Sequence, residues 1–262
     1  MLSIMLNITP IPALEDNYIW AIRGQADALV IVDPGEAAPV LRYLKENGLR
    51  LQAILCTHRH HDHVDGIAEL RGVYNVPVYG RSHPANPHIT HPLREGDHLT
   101  LEGLPAGFDI WELPGHLDDH IAYVAPGQVF CGDILFGAGC GKNFEGSAHQ
   151  LFESVQRLAH LPDDTLLYSA HEYTAYNLPY AAYCEPDNAA IRQRIEQTRT
   201  LRAAGRPTVP FSVATEKATN PFLRLEQPEL IARLQAHGLI DDSPASVFIA
   251  LRRWRDHFRL PE

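Results

Sequence analysis

The sequence predicts a mixed α/β domain followed by a helical segment. Three observations carry that expectation. Short apolar runs rich in Val, Ile, Leu and aromatic residues, bounded by Gly, Pro or Asp, recur through the first two-thirds of the chain. Stretches with helical periodicity lie between some of them. After about residue 172 the texture changes to polar-faced helical stretches divided by Pro-containing linkers. The expected organisation is therefore an α/β unit over residues 1–172 and a helical unit over 173–262.

The strand expectations, in order, are 29–33 (LVIVD), 53–57 (AILCT), 76–79 (VPVY), 108–113 (FDIWEL), 121–124 (IAYV), 129–131 and 165–168. Residues 37–47 fit a helix closed by Gly48, and 65–74 fit another. In 147–159 the apolar residues fall at 151, 152, 155 and 158, close to the i, i+3, i+4, i+7 pattern of a helix with one buried face. Three helices are expected later. One spans 188–204 and ends at Gly205, one spans 227–237 and stops at Gly238, and one spans 243–258 with Pro244 near its first turn. Linkers at 207–210 and Asn220–Pro221 separate them, and no short-period repeat is present.

Composition narrows the function classes. The 262 residues are 45% hydrophobic and 21% charged, ordinary values for a globular protein that can build a core without disulfides. Twenty-two basic against 32 acidic residues give a formal net charge of −10, which argues against nucleic-acid binding, where positive surface must replace phosphate counterions. Cys56, Cys131, Cys140 and Cys184 form no CxxC pair, so reduced thiols are expected rather than a zinc ribbon. The opening MLSIMLNITPIPALEDNYIW has neither a basic start nor a long apolar run, and no stretch approaches the roughly 18 apolar residues of a membrane span. A cytoplasmic monomer with no membrane or nucleic-acid partner is the expectation.

The chemistry concentrates where apolar runs end. AILCT leads into the THRHHDH string at 57–63, FDIWELPG into His116, VFCG into Asp133 and TLLYSA into His171. Side chains at the ends of neighbouring strands converge even when distant in sequence. In an extended segment His58 and His60 face one way and His61 the other, and Asp62 follows if the extension persists. His63 joins only if the chain turns into the helix expected from Asp65. Such a turn gives two ligand sets, enough for two metals about 3.5–4 Å apart. Imidazole and carboxylate suit zinc, iron or manganese. His61, His83, His88, His91, His98, His149, His160, His237 and His257 are expected to be non-ligands.

THRHHDH resembles the THxHxDH signature of the metallo-β-lactamase superfamily, together with Asp33 in VIVDPGEA, PGH at 114–116, GD at 132–133 and HEYT at 171–174. The strings EDNYIW, VDPGEAAPV, GDILFGAGCGKNFEG, AHEYTAYNLPYA, TNPFLR and ALRRWRDHF are similar to glyoxalase II, the hydroxyacylglutathione hydrolase family, over essentially the whole chain. The resemblance implies a four-layer αβ/βα sandwich with a C-terminal helical domain. It implies that His58, His60 and His116 hold one metal and that Asp62, His63 and His171 hold the other, with Asp133 bridging both together with a hydroxide. Zinc is expected first, with iron or manganese as alternatives. Lys142, Tyr173, Arg252 and Arg255 match positions that hold glutathione in the family, and Phe144 stands where some members carry a peptide-touching tyrosine. Asp65, Leu117, Asp119 and Ala170 depart from the usual family residues and bear on how the ligands are oriented.

The implied reaction is hydrolysis of a glutathione thioester, typified by S-D-lactoylglutathione, in methylglyoxal detoxification. Asp62 and Asp133 are the carboxylates assigned to the catalytic centre, as ligands rather than bases. A thiolate leaving group, whose parent thiol has a pKa of about 8.5, departs at neutral pH without a proton donor. Arg252 and Arg255 stand at i and i+3 on one expected helix, where planar guanidinium forks suit the carboxylates of glutathione. The competing readings are another hydrolase of the same scaffold (lactonase, β-lactamase or nuclease), an iron dioxygenase acting on glutathione persulfide, and a non-catalytic metal-binding module.

Overall fold

A computed structural model of the protein describes residues 5–239 and 241–259; the extreme ends of both expected units, 1–4 and 260–262, and Ile240 lie outside the described residues. The first half contains β1 (Asn7–Ala13), β2 (Asn17–Arg23), β3 (Ala28–Val32), α1 (Ala37–Asn47), β4 (Arg50–Leu55), α2 (His61–Val64), α3 (Ile67–Val73), β5 (Val78–Gly80) and β6 (His91–Pro92). There follow β7 (His98–Leu99), β8 (Phe108–Glu112), β9 (Ile121–Ala125), β10 (Gln128–Gly132), a small hairpin β11 (Leu135–Phe136) and β12 (Gly139–Cys140), α4 (Ala148–Ala159) and β13 (Leu166–Ser169). The chain then runs through α5 (Thr174–Cys184), α6 (Ala189–Ala203), β14 (Phe211–Ser212), α7 (Val213–Thr219), α8 (Pro228–Ala236) and α9 (Pro244–His257).

Two six-stranded sheets pack face to face. One has the order β1-β2-β3-β4-β5-β6, the other β14-β13-β10-β9-β8-β7. The inner strands β2 and β3 of the first sheet are buried on both faces, which explains their nearly continuous apolar runs. Alternate residues serve two cores. Trp20, Ile22, Val30, Val32 and Leu55 face the second sheet, whereas Ile19, Ala21, Leu29, Ile31 and Ile54 pack under α1 and α3 through Val40, Leu44, Ile67 and Leu70. On the far side of the second sheet, Leu151, Val155 and Leu158 of α4 and Val247, Phe248 and Leu251 of α9 join the central core. The result is a four-layer αβ/βα sandwich. The helical segment completes it, because β14 pairs with β13 and Val213, Phe222 and Leu230 share the same core.

The sequence expectations differ from the structure in instructive places. Neither β1 nor β2 was expected. Pro10 and Pro12 interrupt the first, and their missing N–H groups are tolerated because β1 is an edge strand paired only with β2. α5 escaped notice because it contains Pro179, and α7 because it has only seven residues. The difference that matters most is at the histidine run. It does not continue extended to a helix at Asp65; the chain turns helical already at His61. Gly35 makes this close turn possible, since a Cβ there would lie 2.0 Å from the Asp62 carbonyl oxygen.

Hydrogen bonds to main-chain carbonyls join the two sheets at one edge. Tyr18 N–H donates to Ala170 O at 2.7 Å, Ile121 N–H to Thr57 O at 2.8 Å, and the Trp20 indole to Ser169 O at 3.0 Å. Gly132 ends β10 at this seam with φ of +48°, and a Cβ on it would meet Thr57 Oγ1 and His120 Nε2 at 2.6 Å. Replacing it by alanine adds left-handed strain and a clash with buried groups. Gly132→Ala should therefore cost at least about 1–3 kcal/mol of stability, seen as a lower urea midpoint at unchanged m-value. An unaltered midpoint would contradict this account of the seam.

Candidate metal centre

The ligand-type residues expected from the sequence gather on this edge, most of them just past a strand. His58 follows β4, Asp133 follows β10, His171 follows β13, and His116 sits beyond β8, just after the turn at 114–115. α2 supplies Asp62 and His63. The side chains form two groups. His58, His60, His116 and Asp133 make one, and Asp62, His63 and His171 make the other; within each, one donor atom per residue lies within 4.8 Å of the rest. His61 points away, with 92% of its side chain exposed.

The spacing within the groups tests whether they suit a cation. Donor atoms on a tetrahedron with metal–ligand distances of about 2.0–2.1 Å stand roughly 3.3–3.4 Å apart. His60 Nδ1 lies 3.0 Å from both His58 Nε2 and His116 Nε2, and His116 Nε2 lies 3.5 Å from Asp133 Oδ2. In the other group Asp62 Oδ2 is 3.4 Å from His63 Nε2 and 3.2 Å from His171 Nε2. Asp133 stands between the groups, with Oδ1 3.5 Å from His63 Nε2 and Oδ2 3.3 Å from His171 Nε2. Hydrogen bonding does not account for this convergence. A single ring N–H cannot satisfy the three nitrogens meeting at His60, and His63 Nε2 and Asp133 Oδ1 are buried without a hydrogen-bond partner. The donors, imidazole and carboxylate only, fit divalent metal ions.

Electrostatics of the protein alone sort the donors. Burial, reinforced by neighbouring imidazoles, lowers His58 far below the usual histidine range and His60 to about 4, and it lowers His116 too. Burial also opposes charge on His63 and His171, but there the neighbouring carboxylates together outweigh it: Asp133 first, with Asp33 at His63 and Asp16 and Asp62 at His171. His63 is raised well above its ordinary value and His171 to about 12. Burial would raise the Asp62 and Asp133 carboxyls, yet His171 and His63 hold both well below the normal carboxylate range.

The second nitrogen of four imidazoles lies beside an outer partner, hydrogen-bonded at His58, His116 and His171 and in a charge contact at His63; such partners fix ring rotation and tautomer at metal sites. His58 Nδ1 lies 3.1 Å from Thr57 Oγ1, His63 Nδ1 3.1 Å from Asp33 Oδ2, His116 Nδ1 2.8 Å from Lys142 O, and His171 Nδ1 2.8 Å from Asp16 Oδ1. Asp33 also accepts from Thr57 N–H and Oγ1–H, each at 2.7 Å. Sequence reasoning gave no role to Asp16, Asn17, Arg59 or His120. Asn17 donates to Asp62 Oδ2 at 2.9 Å, His120 Nε2 accepts the Asp133 N–H at 3.1 Å, and Arg59 binds Asp118 and Asp119 at 2.7 Å and also Glu145. EDNYIW was the available signal for the first two. The departure at Asp119 thus has a partner in Arg59, and Ala170 contributes only main-chain groups, its carbonyl to Tyr18 and its N–H to Gly132 O at 3.3 Å.

A cleft of about 380 Å³ opens over the donors, walled by Phe136, Lys142, Phe144 and Tyr173. Phe144, 57% exposed, meets the His60 and His116 rings edge-on at 5.3 Å, and Lys142 Nζ lies 5.2 Å above the Phe144 ring. Tyr173 stacks on His171 at 4.6 Å. Neither Arg252 nor Arg255 of α9 lines this cleft. Arg255 lies over the Tyr176 ring at 4.6 Å, while Arg252 is buried, with Nη1 donating to Cys140 O at 3.0 Å and Gly141 O at 3.4 Å and Nη2 to Asp256 at 2.9 Å.

This sandwich, with its histidine and aspartate donors at one edge, is that of the metallo-β-lactamase superfamily, whose family model matches residues 14–171. A second model, described as hydroxyacylglutathione hydrolase C-terminus, matches residues 172–258. The hydroxyacylglutathione hydrolase of Aliivibrio salmonicida is 48% identical over 255 residues, covering 97% of this chain and all of the relative. That of Nitrosomonas europaea is 46% identical over 258 residues and 97% of each chain. The chain belongs to the hydroxyacylglutathione hydrolase family. Among solved structures, ETHE1 from Myxococcus xanthus superposes with a TM-score of 0.63 at 25% identity, covering 96% of this chain and 97% of that one. TTHA1623, solved in a di-iron-bound form, gives 0.59 at 26% identity over 82% of this chain and all of its own.

Because Asp133 touches both groups, its loss should be felt at both. Asp133→Asn is expected to lower the metal retained after dialysis for both groups, whereas His61→Ala, beside them in sequence but turned outward, should retain the wild-type amount. Elemental analysis of the two variants checks this; equal metal loss in both would refute the division.

Proposed function

We propose that the protein hydrolyses thioesters of glutathione, with S-D-lactoylglutathione as the type substrate, and that it does so with two divalent metal ions per chain. The observation that carries this reading is the near-full-length likeness to hydroxyacylglutathione hydrolases, together with seven donors converging on Asp133 beneath an open cleft. His58, His60 and His116 would hold one ion and Asp62, His63 and His171 the other, with Asp133 shared. Zinc is the first choice of metal; the di-iron form of TTHA1623 makes iron the alternative to test. When bound, such ions supply Lewis acidity, which lowers the pKa of water from about 15.7 toward about 7 and offsets charge on a carbonyl oxygen.

The chain's own residues do the rest. Asp62 and Asp133 are held ionised, so they serve as donors to cations rather than as carriers of protons. A thioester suits such a site, since a thiolate leaves without being protonated. Phe136, Phe144 and Tyr173 form an apolar wall beside the histidines that excludes water from one side of the acyl group. Lys142 at the rim and Arg255 on α9 offer positive charge to the carboxylates of glutathione. Arg252 contributes through the Cys140 and Gly141 carbonyls it holds, with α9 fixing its distance from Arg255. The division into a catalytic unit over 1–172 and a glutathione-binding helical unit over 173–262 is part of this proposal, and the two family models, which meet between residues 171 and 172, support it.

Two results follow. Metal-free protein should show no thioesterase activity and regain it on adding zinc. Lys142→Ala should raise KM roughly tenfold, the loss of about 1.4 kcal/mol of binding shared by ground and transition states, with kcat changed little. Steady-state kinetics with S-D-lactoylglutathione measures both. Preferential turnover of a lactone or a β-lactam by the zinc-loaded protein would overturn the substrate assignment.

A further inference from the structure

The β11–β12 hairpin and the residues just after it carry two parts of the site. Phe136 packs 5.8 Å from His171 and 5.0 Å from Tyr173, and the Lys142 carbonyl orients His116. This segment is rich in glycine (FGAGCGK), and Ala138 sits at φ +57°. Left to itself such a turn has many conformations. Its main-chain groups are instead tied by side chains from the helical segment. Asn177 Nδ2 donates to Gly137 O at 3.1 Å, Asn220 Nδ2 to Gly139 O at 2.9 Å, and Arg252 Nη1 to Cys140 O at 3.0 Å. The Ala138 N–H donates to Glu216 Oε2 at 2.9 Å.

Glu216 is the centre of this arrangement. It is wholly buried. Oε2 also accepts from Asn220 Nδ2 at 2.8 Å, and Oε1 accepts from Arg194 Nη2 at 2.5 Å; Arg194 in turn donates to Thr219 Oγ1. A buried carboxylate survives only when its charge and lone pairs are satisfied, and here a guanidinium, an amide and a peptide N–H do so together. The space is fitted as closely: a Cβ on Gly137 would lie 2.1 Å from Thr174 Oγ1, and one on Gly139 would lie 2.5 Å from Asn177 Nδ2.

We infer that Glu216 is a positioning residue for substrate binding: it fixes the hairpin from the helical side so that Lys142, just after it, faces the cleft. The inference rests on the thioesterase reading above. A glutamine at 216 keeps the shape but must present an amide N–H₂ to groups that are themselves donors, so either the Ala138 or the Arg194 contact fails. Glu216→Gln should raise KM for S-D-lactoylglutathione about five- to tenfold, with kcat within about threefold and metal content unchanged.

The decisive measurement is a double-mutant cycle with Lys142→Ala. If Glu216 works by placing Lys142, the double variant will have about the KM of Lys142→Ala alone. Multiplying effects would overturn the proposal, as would a lower melting temperature with unaltered KM, which marks a purely structural role. If Glu216→Gln does not fold, Glu216→Asp, which keeps the charge but draws it back from the Ala138 N–H, takes its place in the same cycle with the same two outcomes. Absence of thioesterase activity in the zinc-loaded wild type would instead remove the functional reading. Glutathione affinity measured by calorimetry then tests the hairpin separately, and unchanged affinity in both variants would overturn it.

Discussion

One carboxylate organises this molecule. Asp133 is almost fully buried, and its two oxygens lie within about van der Waals reach of imidazoles from three separate parts of the chain. A charge so placed is tolerated only where positive charge compensates it. The surrounding histidines do this in part, and a pair of cations would do so more fully. His120 holds the Asp133 peptide N–H, and Gly132 gives the chain the left-handed turn that brings Asp133 out of β10 toward the other sheet. The arrangement of the ligands is thus a consequence of how two sheets meet at one edge.

That meeting is built from main chain. Tyr18, Thr57, Ile121 and Ala170 join the sheets by peptide hydrogen bonds beside the histidines, and Asp16, Asn17 and Asp33 reach inward from the same seam to orient His171, Asp62 and His63. The outer partners are not decoration on a preformed site. They come from the strand ends whose pairing creates it. Among the described residues no helix is long and apolar enough to cross a membrane, and the amphipathic helices are used instead to cover the outer sheet faces.

Much of this could be read from the sequence, for identifiable reasons. The seven donors were legible because each follows an apolar run, and strand ends converge in a layered α/β fold. α1 and α4 were legible from their apolar spacing, and the former from Gly48, which adopts the left-handed conformation at its end. What was not legible depends on tertiary context. β1 hides behind its prolines, and the early turn at His61 depends on the close passage of Gly35. Arg252 could be placed on a helix face but not on its partners: the expectation was of a carboxylate-binding fork, and the structure shows both its Nη groups engaged by Cys140, Gly141 and Asp256. Periodicity reports which face of an element is buried; it does not report what a long side chain meets there.

The central claim is that two donor groups share Asp133 and hold a pair of ions. Anomalous diffraction from crystals of the zinc-loaded protein tests it directly. The account predicts two peaks about 3.5–4 Å apart, one on either side of the Asp133 carboxylate. A single peak, or a pair that leaves Asp133 outside coordination distance, would contradict it.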